Sequence, residues 1–124
     1  MVRLTADSIP LVEVVNALRS PESGAVVAYL GTVRASVEGR PVEQLKFEVA
    51  DSVLQKGLEE IEAEARRQFE LREIFLVHRT GTLRVGEDIL LVAISAAHRG
   101  PAFDACQYII ERIKELHSGW KREE

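Results

Sequence analysis

Apolar positions along the chain fall into runs of two kinds, and these predict its elements. Residues 25–33 (AVVAYLGTV) and 89–96 (ILLVAISA) are apolar almost throughout. Runs that short and that rich in β-branched residues read as strands covered on both faces, by helices or by another subunit. Residues 42–49 alternate apolar and polar side chains with one slip, as a half-buried strand does, and residues 72–78 read as a further strand. A helical period appears in two places. Leu54, Leu58, Ile61 and Ala65 recur at spacings of three and four, predicting a helix capped by Asp51 and running to about Phe69, with Glu59, Glu60, Glu62 and Glu64 on its outer side. Pro101 opens another, to about His117. On it Ala102, Phe103, Ala105, Cys106, Ile109, Ile110, Ile113 and Leu116 share one broad arc, with Glu111, Arg112 and Glu115 opposite in water. Ser8 and Pro10 predict a cap and first turn of a short helix ending near Ser20. Residues 21–24 predict a turn, residues 35–40 a polar loop, and Gly81 and Gly86 two turns around a short piece.

Several predicted strands are joined by hairpin-length turns. This favours an α+β class, a mainly antiparallel sheet with flanking helices, over a doubly wound parallel sheet. The 124 residues fit one domain, residues 1–124, and can bury a core without disulfides or a structural metal. A net charge of −4 gives no global reason to expect nucleic acid or a membrane surface as partner, so any anion site must be a local cluster of basic groups. No apolar run approaches the length of a membrane span, and the first seven residues lack a signal-peptide layout. The lone cysteine, Cys106, cannot form an internal disulfide. The expected location is the cytoplasm.

His78, His98 and His117 show no metal-ligand spacing, and there is no paired CxxC, GxSxG, phosphate loop or GxGxxG. No metal and no cofactor is expected. Cys106 lies mid-arc on the last helix and reads as a small buried apolar residue rather than a reactive thiol. Lys114 sits at the border of that arc, next in angle to Phe103 and Gln107. There it can lay its stem on apolar surface and present its amine at a cleft, as a snorkelling surface lysine or as a catalytic one. His98 and Arg99 stand where an apolar strand gives way to a helix start, a place that suits an anion; Arg99 could equally pair with a nearby carboxylate. Arg34 ends the other apolar strand. Trp120, Lys121 and Arg122 combine an aromatic anchor with two cations, able to clamp an anionic heterocycle or to cap the helix end.

These pieces, in this order, resemble one family. Gly24-Ala25-Val26-Val27 and Gly31-Thr32-Val33-Arg34 look like its N-terminal signature, and His78-Arg79-Thr80-Gly81 with Val85-Gly86-Glu87 matches its HRxG…xGE segment. Ala96-Ala97-His98-Arg99 with Ala102-Phe103-Asp104-Ala105 matches AHR…AFxA, and Lys114 with Lys121 in Trp120-Lys121-Arg122-Glu123 matches its C-terminal lysine pair. The family is MoaE, the catalytic subunit of molybdopterin synthase. Two departures stand out. Glu48-Val49-Ala50-Asp51 lacks an aromatic residue often found there, and the sequence ends just after WKRE, where most relatives continue. Contacts made by that further tail are expected to be absent or supplied otherwise.

The resemblance implies an α/β-hammerhead fold and a homodimer, with a small ubiquitin-like partner of MoaD type docked at each end to make a heterotetramer. The partner's C-terminal Gly-Gly carries a thiocarboxylate. The substrate implied is cyclic pyranopterin monophosphate, which receives two sulfurs to become the molybdopterin dithiolene. A chain whose one cysteine is buried suits an external sulfur donor. By the family's motif Lys114 is the main catalytic lysine and Lys121 its support; Arg34, His98 and Arg99 bind substrate, and Arg122 is a further cation for it. These groups are expected to converge on one basic pocket, across the dimer interface if necessary. The rival reading is a non-catalytic subunit that docks a ubiquitin-like partner or an anionic ligand; a third is an unrelated anion-binding domain.

Overall fold

The computed structural model describes residues 1–124. In chain order the elements are β1 (Val2–Thr5), α1 (Leu11–Ala17), β2 (Ala25–Thr32), β3 (Ser36–Val37), β4 (Arg40–Pro41), β5 (Gln44–Phe47), α2 (Asp51–Gln68), β6 (Glu73–Arg79), β7 (Thr82–Arg84), β8 (Asp88–Ala96), α3 (Arg99–His117) and β9 (Lys121–Glu123). The main sheet has the order β1-β6-β8-β2, with β1 parallel to β6 and the other pairs antiparallel. A smaller antiparallel sheet has the order β7-β5-β9, and β3 and β4 form a hairpin. The class is the expected α+β, mixed and mostly antiparallel.

The apolar run of residues 89–96 becomes the central strand β8, buried from Leu90 to Ala96. One face of the sheet is covered by α2 and α3, whose Leu54, Leu58, Ile61, Ala65, Ile109 and Ile113 pack on Ile74, Leu76, Val92 and Ile94. The helical spacing read from the sequence is the stripe that makes this contact. The other face is covered by α1 and the residues that flank it, through Ile9, Val14 and Leu18, on Val77, Leu91 and Ala93. Ile89 packs against both the main core and the small cluster of Val33, Leu45 and Leu83, which ties the two sheets together.

Several predicted boundaries move. Pro10, not Ser8, caps α1, with the Val14 N–H donating to its carbonyl at 3.0 Å. Asp51 is the first residue of α2 and makes no side-chain cap. The third helix begins at Arg99, two residues before Pro101. The loop at residues 35–40 contains a hairpin turn whose Glu38 and Gly39 both have positive φ, matching the right-handed twist of paired strands. Arg112 is not simply solvated: it binds Glu64 of α2 at 3.0 Å, and that contact with Tyr108 holds the Glu64 carboxyl below its usual range. Phe103, expected on the buried arc, is 59% exposed. Cys106 is buried, and burial raises its thiol pKa, which keeps it an unreactive core residue.

The HRxG…xGE residues and Gly24 have physical roles in the fold. Arg79 is a clamp: its guanidinium binds Glu87 at 2.9 Å and the Ala6 carbonyl at 2.9 Å, tying the end of β6 to the β7–β8 turn and to the chain after β1. Gly81 and Gly86, with φ of 87° and 86°, make the flanking turns. Gly24 lies where the backbone enters β2 against the end of β8. Its N–H donates to the Ala96 carbonyl at 2.9 Å, and a Cβ added there would stand 2.3 Å from the Ala97 carbonyl oxygen. Backbone on both sides leaves little room to yield. Gly24→Ala is therefore expected to cost about 1–3 kcal/mol, the usual range for overpacking, read as a lower urea midpoint with an unchanged m-value.

Candidate functional site

The second half of α3 returns along β8 to the place where β8 begins. There Lys114 and His117 lie on one helical face, three residues apart. The chain turns through Ser118 and Gly119, with the Trp120 N–H donating to the His117 carbonyl at 2.8 Å, and enters β9. β9 pairs with β5 so that Lys121 stands opposite Phe47 and Glu123 opposite Leu45. Lys121 is thus delivered to the same place as Lys114 and His117.

Two connected hollows result. One, of about 80 Å³, has mostly apolar walls from Tyr29, Phe47, Ile89, Ile110 and Ile113, with Lys114, His117 and Lys121 at its polar side. The other, of about 360 Å³, is an open basic recess lined by Arg34, Lys114, His117, Ser118 and Lys121. Lys114 also borders a groove between β2 and α3 lined by Ala28, Tyr29, Phe103 and Ile110. Its predicted place at the edge of the apolar arc is what puts it at the junction of all three. Glu123 stands near two of the cations, 3.7 Å from Lys121 Nζ and 4.0 Å from the Arg34 guanidinium.

Beneath the site lies a feature with no signal in the sequence spacing. His78 on β6 and His117 on α3 meet through their Nε2 atoms at 2.8 Å, and Phe47 packs against both rings. His78 Nδ1 lies 2.7 Å from the Arg79 carbonyl oxygen. A carbonyl only accepts, so Nδ1 of His78 carries a hydrogen. Burial lowers the pKa of His78; burial, with the repulsion that a second charged ring at His78 and the Lys121 ammonium would exert, pushes that of His117 down to about 3. Both rings are neutral, so His78 Nε2 is a bare acceptor and His117 Nε2–H is the donor. The remaining nitrogen, His117 Nδ1, is then also bare. The network fixes both tautomers.

The structure brings Arg34, Lys114 and Lys121 together and leaves the other expected residues elsewhere in the chain. Arg122 follows Lys121 on a strand, so the two-residue period turns it to the opposite face, where it binds Glu48 at 2.8 Å. His98 and Arg99 are exposed at the start of α3, about 22 Å along the helix from Lys114 at 1.5 Å per residue. Within one chain the expected single pocket is therefore only partly assembled. No group of three His, Cys, Asp or Glu side chains is arranged to hold a metal ion.

The family model described as MoaE protein matches residues 4–116. The chain belongs to the MoaE family. It is similar to the molybdopterin synthase catalytic subunit of Thermoplasma volcanium, at 34% identity over 98% of this chain and 89% of that one. Among solved structures it resembles molybdopterin synthase from Staphylococcus aureus, with a TM-score of 0.86, 31% identity, and coverage of 98% of this chain and 88% of that one. It also shares the fold of a chain in the complex of subunits 1 and 2 of molybdopterin-converting factor from Helicobacter pylori, with a TM-score of 0.71, 18% identity, and coverage of 91% and 77%. The MoaE motifs are spread over the site and its supports: Arg34 and the lysine pair line the recess, while HRxG…xGE supplies His78 of the buried histidine pair and both partners of the Arg79–Glu87 clamp.

The buried histidines give a pH dependence of stability. Their pKa values are depressed in the folded state, so below about 6.5, the ordinary histidine value, the unfolded chain binds more protons. Stability is fully present above that pH and declines as pH falls toward about 3 for His117. The slope is up to about 1.4 kcal/mol per pH unit for each histidine. Urea unfolding at pH 7.5, 6, 5 and 4 is expected to show this decline, with a shallower slope in His117→Gln; an equal slope in that variant would contradict it.

Proposed function

We propose that this chain is the catalytic subunit of molybdopterin synthase, acting in the cytoplasm. It takes sulfur from the thiocarboxylated Gly-Gly terminus of a small ubiquitin-like partner and adds two sulfurs to cyclic pyranopterin monophosphate. Each transfer exchanges one oxygen for one sulfur: a carbon–sulfur bond forms on the substrate, a carbon–oxygen bond there breaks and its oxygen leaves as water, while the carbon–sulfur bond of the partner's terminal acyl group breaks, water adds to that acyl carbon and the tail leaves as a carboxylate. The observation that carries the reading is Lys114 at the junction of a slim apolar pocket and an open basic recess. A pocket of about 80 Å³ is far below the 300–1,000 Å³ typical of small-molecule sites. It suits a narrow extended tail of glycines, whereas the recess, with Arg34 and Lys121, suits an anionic heterocycle. Cys106 is buried in the core, consistent with sulfur arriving on a partner.

In this scheme Lys114 holds the terminal acyl group and moves protons during sulfur addition, and Lys121 supports it. A homodimer places the remaining cations. β2 is an edge strand of eight residues, and the groove beside it exposes Tyr29 and Phe103. A two-fold contact along this groove would set two copies of α3 in opposite directions, bringing His98 and Arg99 of a second copy toward the Lys114 end of the first. Arg122, facing away from the recess, falls outside substrate binding in this arrangement and acts through Glu48.

The test is incubation with the thiocarboxylated partner and the cyclic precursor, scored for dithiolene product. Binding without product would leave only a docking subunit. Lys114→Ala is expected to lower turnover by about 10²–10⁴-fold, the range for loss of a positioned proton-transfer group, with an unchanged circular dichroism spectrum; near-wild-type turnover would remove Lys114 from the mechanism. Arg99→Ala is expected to weaken the precursor more than the partner, measured by titrating each ligand against the variant. Unchanged precursor affinity would exclude Arg99 from the recess.

A further inference from the structure

The cations that line the two hollows are all hydrogen-bond donors: Arg34, Lys114 and Lys121. His117 borders both hollows and differs from them. Its Nε2–H is committed to His78, whose own hydrogen is committed to the Arg79 carbonyl. Its Nδ1, on nearly the opposite side of the ring, has no partner in the protein. That nitrogen is not sealed in the core, because the one buried side-chain polar atom left both sealed and unpartnered is Arg79 Nε. The ring is held by its hydrogen bond to His78 and by packing against Phe47, so it cannot turn to offer a hydrogen instead. A neutral ring locked in one tautomer presents a fixed acceptor among donors.

We propose that His117 is a specificity-determining residue of this site: its Nδ1 accepts a hydrogen bond from an N–H group of the ligand seated between Lys114 and Lys121, and it disfavours an acceptor group at that point. This rests on the reading of the site given above and adds to it. The anionic parts of a ligand are drawn by the lysines and Arg34; His117 sets which way round the ligand lies, because only an N–H edge fits against it. His78 acts as a positioning residue, fixing the tautomer from below. Two sources supply such an N–H in the proposed reaction. One is a backbone amide near the end of the partner's tail, in the slim pocket; the other is a ring or amino N–H of the heterocycle, in the recess. A ligand that brings a carbonyl or ring acceptor to the same point leaves two acceptors facing each other, which a site of this kind rejects strongly.

The experiment uses the full chain with ¹⁵N-labelled histidine rings, studied free, with the partner in its unmodified carboxylate form, and with the cyclic precursor. In the free protein His117 Nδ1 is expected to resonate as an unprotonated nitrogen and Nε2 as a protonated one. One of the two ligands is expected to shift Nδ1 toward the position of a hydrogen-bonded acceptor, and which ligand does so identifies the source. His117→Gln places its amide near the position of Nε2, keeping the link to His78 while removing the acceptor at Nδ1. It is expected to weaken that same ligand about tenfold or more, as leaving a buried donor unsatisfied does, and the other ligand by less than twofold. His117→Asn, whose amide falls near Nδ1, is expected to restore most of the affinity. A hydrogen on Nδ1 in the free protein overturns the proposal. So do ligands that bind without moving Nδ1, or His117→Gln affinities equal to wild type for both. Wild-type protein that binds neither ligand and forms no product is a separate pattern: it overturns the molybdopterin synthase reading, and this inference falls with it.

Discussion

Burying β8 on both faces is the constraint that organises this protein. A strand sealed from Leu90 to Ala96 has no water on either side, so it needs cover above and below and a paired strand along each edge. α2 and α3 supply one cover and α1 the other; β6 and β2 supply the edges. The chain leaves β8 at Ala96 and turns directly into α3, so α3 must run back over the strand it follows. Its nineteen residues outlast the nine of β8 in number but match it closely in length, because a helix rises less than half as far per residue as a strand. The end of α3 therefore arrives where β8 begins, beside the small sheet. Lys114, His117 and the turn into β9 are set there by that match of lengths.

Much of this was legible because burial writes itself into spacing. The two apolar runs became β2 and β8, and the three-and-four spacing of Leu54, Leu58, Ile61 and Ala65 became the buried stripe of α2. Lys114 could be placed at a cleft edge for the same reason, since its angle on α3 follows from the helical period alone. What stayed hidden depends on backbone pairing between distant segments. β1 and β9 are short and carry charges, and they form because β6 and β5 offer open edges. The turned-away position of Arg122 follows only once residues 121–123 are known to be a strand. His78 and His117 are 39 positions apart, with no spacing that links them. His98 and Arg99 were rightly placed at a helix start, but a cleft shared with Lys114 in one chain would need a helix far shorter than the one that covers β8.

The electrostatics follow from the same layout. The chain is acidic overall, yet three cations meet in one recess. Several carboxylates are engaged with other cations: Glu64 with Arg112, Glu62 with Arg66 and the chain's amino terminus, Glu87 with Arg79, and Glu48 with Arg122. Glu123 alone stands within reach, at distances that leave Arg34 and Lys121 free to turn toward an anion. A positive recess on a negative body focuses the field for an anionic ligand without making the whole surface adhesive to nucleic acid.

The pairing of β9 with β5 has a consequence for how the site can fail. The three residues of β9 carry Lys121 and Glu123, and they are held by ladder bonds on one side only, with Glu124 extending the ladder to Gln44. A three-residue edge strand paired on one side opens more readily than the buried core it docks on. The recess therefore has the lifetime of its last strand rather than that of the fold. When β9 lifts, one lysine and its neighbouring carboxylate depart together, while β8, α3 and the histidine pair keep their places. Occupation of the recess by an anion works in the opposite direction, holding β9 down.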